Sequence, residues 1–497
     1  MLRNSDTKDL KVRDHQVYER ARLSRDARFD GRFFIGVKTT GIYCRPICPA
    51  NAPKSDNITF YPTAAAAGEA GFRPCLRCRP ECAPGTPAWQ GTSTTVRRGL
   101  KLIAEGALDA GDVEKLADRL GVTSRHLRRL FGQHLGASPL AVAHTQRLHF
   151  AKRLIDQTTL PMADIAVAAG FGSTRRFNDA FRRNYQRSPR ELRKRRGAAD
   201  AAAGLTVKLP YRTPFRFSEL LKFFEGRAIP GVEVVHDGRY LRSIVIDETP
   251  AVIDIRDDAA NIRLTVHGAN TKSLLPIIQR VRTMFDLDTS PADVASVLGK
   301  DPFLRKRLKE HPGIRVPGVW DGFELLIRAI LGQQISVAAA TTLSGRLARR
   351  YGSKISVDIP GLPSEFVPTI AFPTPKKLLR ARLGDLGIIR SRAETIRLVA
   401  KAVVEGRVRF DDTQSADEVY RALVAIKGIG DWTAQYVAMR ALKEPDAFPD
   451  SDLGLLRAFD MPDKNRMKPR QLKLRAEAWR PWRSYAALLL WSEGSGG

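Results

Sequence analysis

The stretch 422–442, ALVAIKGIGDWTAQYVAMRAL, consists of two helical patterns joined by Lys427-Gly428-Ile429-Gly430. Glycine adopts backbone conformations that other residues disfavour, so these glycines permit a tight hairpin between the helices. The second helix then begins with backbone N–H groups that have no partner within the helix. Such groups bind a DNA phosphate without reading the base sequence. The stretch therefore predicts a helical hairpin. Many helix hairpins use glycine, so the prediction that this one holds a nucleic-acid backbone depends on the segments around it.

Three further segments complete the pattern around the hairpin. FPDSDLGLLRAF (448–459) follows it with acidic residues before a short helix, RPWRSYAALLLW (480–491) adds aromatic residues, and WDGFELLIRAILGQQISVAAATTL (320–343) precedes it. Together these segments resemble the AlkA-type 3-methyladenine DNA glycosylases of the helix-hairpin-helix superfamily. The similarity extends from about residue 206 to the end, and LPYRTPFRFSELLKFFEGRAIPGVE (209–233) matches the small N-terminal sheet domain of that family.

The resemblance implies a catalytic aspartate after the hairpin. Residue-by-residue matching assigns this role to Asp452, with Asp450 as the competing choice in the same turn. Either carboxylate can also serve as the N-cap of the helix LGLLRAF. The two roles are compatible, because the dipole at a helix N-terminus favours an ionised carboxylate. An ionised aspartate beside C1′ stabilises the oxocarbenium-like sugar that forms as an alkylated base leaves.

Lyase members of the superfamily carry a Schiff-base lysine where this chain has Trp432. The resemblance therefore implies simple hydrolysis without strand cleavage, the activity of DNA-3-methyladenine glycosylase II. Trp432, Tyr436, Trp491 and Phe223 match positions of the family's aromatic base pocket, whose electron-rich faces attract cationic bases. The alternative is that these aromatic residues belong to an ordinary hydrophobic core.

The family pattern also implies DNA contacts by Gly428 and Gly430 of the hairpin and by Gln334 of LGQQIS. Gln334 takes the position of a leucine that, in the family's type enzyme, fills the gap left by the flipped base. A glutamine side chain can instead hydrogen-bond the orphaned partner base. Leu453 replaces an aromatic residue next to the catalytic aspartate. We expect both changes to alter base preference and to leave the chemistry intact.

All five cysteines lie between Cys44 and Cys82, and four have the spacing Cys44-x3-Cys48-x26-Cys75-x2-Cys78. Two close pairs separated by a loop place four thiolates at the corners of a tetrahedron, the geometry of structural zinc sites. The alternative of two disulfides conflicts with a polar N-terminus that has no apolar signal region. The spacing thus predicts one Zn²⁺ held by Cys44, Cys48, Cys75 and Cys78, and leaves Cys82 spare.

The segment that follows the cysteines contains an internal duplication. GDVEKLADRLGVTSRHLRRLFGQHLGASP (111–139) parallels LPMADIAVAAGFGSTRRFNDAFRRNYQRSP (160–189). Each copy reads as a helix, a turn with glycine, and a second helix opened by Ser or Thr. The pair resembles the AraC-type DNA-binding domain, with the second helices in successive major grooves. This assigns DNA contacts to the following arginines of the second helices: Arg125, Arg128, Arg175 and Arg176.

The cysteine segment and the AraC-type module together resemble the N-terminal half of the Ada adaptive-response regulator. In that family the four cysteines bind Zn²⁺, and the first also accepts a methyl group from a DNA methylphosphotriester. The resemblance makes Cys44 the methyl acceptor, and the alternative is a purely structural zinc site. Methylating one thiolate removes one negative charge, which weakens repulsion from DNA phosphates. The Pro-Cys-His-Arg sequence that marks the family's guanine-repair domain is absent from the sequence.

The composition fits these partners. The chain has 82 Lys+Arg and 53 Asp+Glu, a net charge of +29 and a pI of about 10.3, which is typical of proteins that bind a polyanion. We expect double-stranded DNA as partner, both alkylated and at promoter sites, and RNA polymerase during activation. No apolar run is long enough to cross a bilayer, so we expect a cytoplasmic, nucleoid-associated monomer with no membrane partner.

The 497 residues are thus predicted to form a multidomain α+β chain. Its predicted domains are a small zinc methyl-acceptor domain (1–84), an all-α double helix-turn-helix domain (95–195), a small α/β sheet domain (205–300) and an all-α helix-hairpin-helix glycosylase domain (301–497). The first functional interpretation is a base-excision-repair glycosylase fused to a methylation sensor and transcription activator. The alternative is a transcription regulator whose C-terminal half is catalytically weak and only holds DNA.

Overall fold

The computed structural model describes residues 15–84, 94–109, 111–193, 204–411, 413–459 and 467–492. The chain divides into two compact units, the first comprising residues 1–201 with 271–276, and the second comprising residues 202–270 and 277–497. Within the described ranges, no helix combines the length and apolar content needed to cross a membrane. The main division lies between the predicted helix-turn-helix domain (95–195) and the predicted sheet domain (205–300).

A four-stranded sheet in the order β3-β1-β2-β4 begins the first unit. Successive side chains of β1 face opposite sides of the sheet. Ile35 therefore packs with Ala21 on one face, while Phe34 packs with Ala64 on the other. The elements are α1 (residues 15–23), β1 (Phe34–Val37), β2 (Ile42–Cys44), β3 (Ile58–Tyr61), α2 (Ala64–Glu69) and β4 (Arg73–Pro74).

Seven helices follow in the described part of the first unit, and they confirm the predicted duplication. Thr123 and Ser173 cap the two second helices, each accepting a hydrogen bond from a backbone N–H. Gly121 ends the preceding helix of the first copy with φ +69°, a left-handed conformation that favours glycine. The helices are α3 (Thr94–Ala104), α4 (Val113–Leu120), α5 (Ser124–Leu135), α6 (Pro139–Gln157), α7 (Met162–Ala168), α8 (Thr174–Tyr185) and α9 (Pro189–Leu192).

The cysteine-bearing sheet packs directly against α6, the helix that joins the two copies. The hydroxyl of Tyr43 lies 2.9 Å from Nε2 of His149, and burial lowers the pKa of this histidine to about 3, so the ring is neutral at physiological pH. The buried ammonium of Lys152 lies 2.5 Å from Asp156 and 3.6 Å from Glu81, which follows Cys78 in the sequence. These buried contacts join the cysteine-bearing sheet to α6 within the first unit.

The second unit begins with an antiparallel five-stranded sheet in the order β5-β9-β8-β7-β6. Residues 233–246 form two strands, because Asp237 and Gly238 both have positive φ and turn the chain into a hairpin. The elements are β5 (Leu205–Pro210), α10 (Phe217–Glu225), β6 (Glu233–His236), β7 (Arg239–Ile246), β8 (Thr249–Asp258) and β9 (Asn261–His267).

Helices form almost all of the remaining described chain, as predicted, around a large apolar core that includes Leu326, Ile330 and Ile396. The one exception to the helical prediction is a short two-stranded sheet, in which Ser353 pairs with Ala371. The elements are α11 (Leu274–Met284), α12 (Pro291–Leu298), α13 (Pro302–Glu310), α14 (Gly322–Leu331), α15 (Val337–Tyr351), β10 (Ser353–Lys354), β11 (Ile370–Ala371), α16 (Pro375–Leu379), α17 (Arg390–Val404), α18 (Ala416–Val424), α19 (Asp431–Arg440), α20 (Leu453–Arg457), α21 (Pro469–Ala476) and α22 (Arg483–Trp491).

Candidate functional sites: a four-cysteine centre and an aromatic pocket

The cysteine pairs meet because β2 and β4 are parallel neighbours in the sheet. β2 ends at Cys44, and the residue after β4 is Cys75, whose N–H donates to the carbonyl of Tyr43 at 3.0 Å. The four sulfur atoms of Cys44, Cys48, Cys75 and Cys78 all lie within 4.8 Å of one another. Tetrahedral zinc with bonds of about 2.3 Å needs sulfur atoms about 3.8 Å apart. The donor set and its spacing therefore fit one Zn²⁺.

The two cysteine pairs differ in exposure. Cys75 and Cys78 are buried, whereas Cys44 and Cys48 are partly exposed. Cys82 lies outside the cluster of four sulfur atoms, and burial raises the pKa of its thiol. Only Cys44 and Cys48, among the four clustered thiols, are open enough to meet a large substrate.

Arg45, which the sequence did not single out, orients the buried end of the cluster. Its backbone N–H donates to Sγ of Cys78 at 3.3 Å, and its guanidinium donates to the carbonyl of Cys78 at 2.9 Å. The same guanidinium forms an ion pair with the buried Asp30. Hydrogen bonds of this kind fix the direction of a metal ligand.

A cavity of about 640 Å³ opens beside Cys44 and Cys48. Five arginines line it, and α8 of the second helix-turn-helix contributes Asn184 and Tyr185 to its wall. Carboxylates neutralise two of these arginines, Arg22 through Glu19 and Arg45 through Asp30, so the other three supply the positive charge that suits a phosphate backbone. The lining arginines are Arg22, Arg25, Arg45, Arg73 and Arg77.

The predicted DNA-reading arginines lie in the N-terminal halves of the second helices. Arg125 and Arg128 are exposed on α5, and Arg175 and Arg176 are exposed on α8. Arg128 also forms an ion pair of 3.1 Å with Glu114 of α4. The two helix faces are thus both cationic and accessible.

The predicted hairpin is present between α18 and α19. Gly428 has φ +91°, and a Cβ at this position would lie 2.1 Å from Oγ1 of Thr395, so only glycine fits. Gly430 is the N-cap of α19 and has open space around it. The side-chain amide of Gln333 donates to the carbonyl of Gly428 at 3.0 Å. This hydrogen bond holds the segment that contains Gln334 next to the hairpin. Gln334 is exposed with φ +58°, a left-handed conformation uncommon for glutamine.

Asp452 lies at the centre of the second site. Its Oδ2 accepts a 2.7 Å hydrogen bond from Nε1 of Trp432, and its Oδ1 accepts one of 2.8 Å from Nε1 of Trp491. Oδ1 also accepts the N–H of Leu455, so Asp452 is the N-cap of α20 as well. Three donors facing one carboxylate suit its anionic form.

Asp450 has a different partner from Asp452. Its carboxylate lies 3.6 Å from Nζ of Lys473. Leu453, the first residue of α20, is 66% exposed. Of the two candidate aspartates, Asp452 is therefore the one held by aromatic residues.

The four predicted aromatic residues do not form a single enclosure. Trp432 and Tyr436 stack with ring centres 5.1 Å apart, and Trp491 meets Tyr436 edge-on at 6.4 Å. Phe223 is covered by guanidinium groups instead, with Cζ of Arg227 at 4.0 Å and Cζ of Arg440 at 4.8 Å from its ring centre. Arg227 and Arg440 were not predicted. Both lie within quoted stretches, 209–233 and 422–442, but nothing in the sequence shows that their guanidinium groups lie against Phe223.

Family comparisons match this organisation in chain order. Residues 18–81 match the metal binding domain of Ada, residues 116–195 a helix-turn-helix domain, residues 206–321 the AlkA N-terminal domain, and residues 327–484 the HhH-GPD superfamily of base excision DNA repair proteins. A probable bifunctional transcriptional activator/DNA repair enzyme AlkA of Mycobacterium tuberculosis is 39% identical, over 96% of both chains. This chain belongs to that bifunctional family.

Two more relatives cover the second half of the chain. DNA-3-methyladenine glycosylase 2 of Escherichia coli is 34% identical over 57% of this chain and 95% of its own. A 3-methyladenine DNA glycosylase of Archaeoglobus fulgidus covers 59% of this chain and 98% of its own, with a TM-score of 0.50 and 24% identity, and so supports the fold alone. The family assignment confirms the predicted fusion of an Ada-type half with an AlkA-type glycosylase half.

Proposed function

We propose that this protein repairs alkylated DNA by hydrolysing the N-glycosidic bond of bases such as 3-methyladenine, and that its N-terminal half senses methylphosphotriesters and activates transcription. The observation that carries the enzymatic part is the carboxylate of Asp452 held between the indole N–H groups of Trp432 and Trp491. A protein that only holds DNA has no need for a carboxylate fixed beside aromatic rings.

Hydrolysis follows from the placement of Asp452. As the base leaves, positive charge develops on the sugar, and the fixed carboxylate stabilises it without reorganising. Water then bonds to C1′ from the carboxylate side, and its proton passes to Asp452. Trp432 offers no amine for a Schiff base, so the proposed reaction is monofunctional and leaves an abasic site.

The proposed sensor uses Cys44 as methyl acceptor. Bound zinc keeps the thiols deprotonated at neutral pH while leaving them nucleophilic. The Cys44 sulfur forms a bond to the methyl carbon, the carbon–oxygen bond of the triester breaks, and a phosphodiester departs. The partly exposed sulfur and the arginine-lined cavity beside it support this assignment. Loss of one negative charge then favours DNA binding through the exposed arginines of α5 and α8.

We further propose that the protein acts as a cytoplasmic monomer on double-stranded DNA and contacts RNA polymerase when it activates. The decisive experiment incubates the purified protein with alkylated DNA and measures free 3-methyladenine by chromatography. We expect base release and intact DNA strands. Absence of base release, with DNA binding retained, would instead establish a regulator whose second half only holds DNA.

A further inference from the structure

The guanidinium of Arg440 is held in one orientation next to Tyr436. Arg440 is only 5% exposed. Its Nε donates to the carbonyl of Pro317 at 2.8 Å, one Nη donates to the carbonyl of Gly318 at 3.2 Å, and the other donates to the hydroxyl of Tyr436 at 2.6 Å. Three acceptors in different directions hold the planar group in one orientation.

The charge of this group is not neutralised by an acid. Among the described residues, neither Arg440 nor Arg227 forms an ion pair with a carboxylate. Their guanidinium groups lie instead against aromatic faces, with Cζ of Arg440 at 5.3 Å from the ring centre of Tyr436 and both near Phe223. A buried cation without an ion-pair partner is costly, and here three hydrogen bonds and the faces of aromatic rings offset that cost.

The hydroxyl of Tyr436 is left with a proton to donate. Because a guanidinium has no acceptor, Tyr436 must be the acceptor of the Arg440 hydrogen bond. Burial acts to raise the pKa of Tyr436, but the nearby Arg440 and Arg227 outweigh it and lower this pKa below its ordinary value. A more acidic hydroxyl is a stronger hydrogen-bond donor.

We propose that Arg440 is a positioning residue that orients and polarises the Tyr436 hydroxyl as a hydrogen-bond donor to the departing base. The inference rests on the proposed glycosylase function. When the C1′–N bond breaks, its electron pair stays on the base. A cationic base leaves neutral, whereas a neutral base leaves as an anion and needs a donor. A hydrogen bond from Tyr436 to a ring nitrogen or carbonyl oxygen of that base stabilises the anion.

The geometry also bears on selectivity. The guanidinium groups of Arg227 and Arg440 lie against the ring of Phe223, and their positive charge opposes the approach of a cationic base to this ring. The site thus combines a stacked pair, Trp432 and Tyr436, with the guanidinium groups of Arg227 and Arg440. This combination favours release of neutral purines relative to a pocket of aromatic residues alone.

The test compares two duplexes, one with a single neutral hypoxanthine and one with a single cationic 7-methylguanine. Single-turnover release is measured for the full-length protein and for Tyr436→Phe, which keeps the ring and removes the hydroxyl. The hypoxanthine rate should fall about tenfold more than the 7-methylguanine rate, the loss expected for one hydrogen bond to developing charge. Equal losses on both duplexes would overturn the proposal.

Two further variants separate this role from a structural one. Arg440→Lys keeps the charge but not the planar fork, and its rate ratio should fall between those of wild type and Tyr436→Phe. Tyr351→Phe is the matched control, because its hydroxyl donates to the carbonyl of Arg382 outside the pocket, and its rate ratio should equal that of wild type. The hypoxanthine rate should also decline at alkaline pH as Tyr436 ionises, and Tyr436→Phe should lose that decline. If wild type releases neither base, the proposed glycosylase function itself is wrong.

Discussion

Nε1 of Trp432 donates a 2.7 Å hydrogen bond to Oδ2 of Asp452, a residue 20 positions further along the chain. The same indole ring stacks on Tyr436. The Trp432 side chain therefore belongs to the aromatic cluster and also orients the carboxylate. Trp491 repeats the arrangement on the other carboxylate oxygen at 2.8 Å. Because the aromatic rings and the carboxylate are joined through shared residues, a base held against these rings would lie beside the proposed catalytic carboxylate.

Asp452→Asn should retain affinity for alkylated DNA while base release falls by a factor on the order of 10², because the negative charge beside C1′ is lost. Single-turnover release of 3-methyladenine and a binding titration on the same duplex measure the two quantities. The matched control is Asp450→Asn, since Asp450 faces Lys473 instead of the indoles. A large loss in the control with little loss in Asp452→Asn would reverse the assignment.

Borohydride should trap no covalent adduct between the protein and its substrate DNA, because Trp432 supplies no amine. Denaturing electrophoresis after reduction reads this out directly. If an adduct forms, the lysine to examine is Lys427 of the hairpin, because its ammonium is exposed. This ammonium lies 3.6 Å from Glu394. An adduct that disappears in Lys427→Met would show lyase chemistry from the hairpin itself.

Exposure to methylphosphotriester DNA should add one methyl mass to the peptide that contains Cys44, with zinc retained. DNA affinity should then rise, most clearly at low salt, because salt screens the repulsion that methylation relieves. Peptide mass spectrometry and a salt-dependent binding titration are the measurements. Methyl on Cys82, or an unchanged affinity, would leave the four-cysteine centre a structural site only.

The two classes of cysteine should respond differently to substitution. Cys44→Ser should abolish methyl transfer, whereas Cys75→Ser, at a buried position in the sheet, should lose zinc and unfold the cysteine-bearing sheet. Zinc content and circular dichroism distinguish these outcomes. Equal zinc loss and unfolding in both variants would argue that Cys44 serves the fold alone.

Asp286 should stabilise the second unit. This buried carboxylate lies 3.2 Å from Nζ of Lys443 and accepts hydrogen bonds from Val316 and Tyr485. Burial acts to raise the pKa of Asp286, but Lys443, Arg315 and the hydrogen bonds lower it. Since the folded pKa is the lower one, its stabilisation is fully present above the unfolded value of about 3.9 and is lost as pH falls through the folded pKa.

Asp286→Asn should therefore lower the free energy of unfolding by about 3 kcal/mol at neutral pH, because it removes the negative charge that faces the buried Lys443 ammonium. Urea titration monitored by tryptophan fluorescence gives the value. The double variant Asp286→Asn/Lys443→Met should recover part of the loss, and an undiminished loss would indicate that the hydrogen bonds of Asp286, not the ion pair, carry the stabilisation.

The sequence by itself determined the order of the modules and the chemistry of each motif. Spacing was sufficient for the four cysteines because a metal needs only four donors and enough chain to bring them together. Helix periodicity with Thr123 and Ser173 as caps was sufficient for the duplicated helix-turn-helix. The hairpin was readable because Gly428 occupies a conformation and a space that only glycine tolerates.

Only the tertiary structure decided which side chains meet. Arg45 and Arg440 lie inside quoted motif stretches, yet their contacts depend on carbonyls that are distant in sequence, Cys78 for Arg45 and Pro317 for Arg440. The matched position of Phe223 indicated a pocket wall, yet its face is covered by cations. A pattern along the chain records the periodicity of local structure, whereas burial and the direction of a hydrogen bond depend on contacts that exist only after the chain has folded.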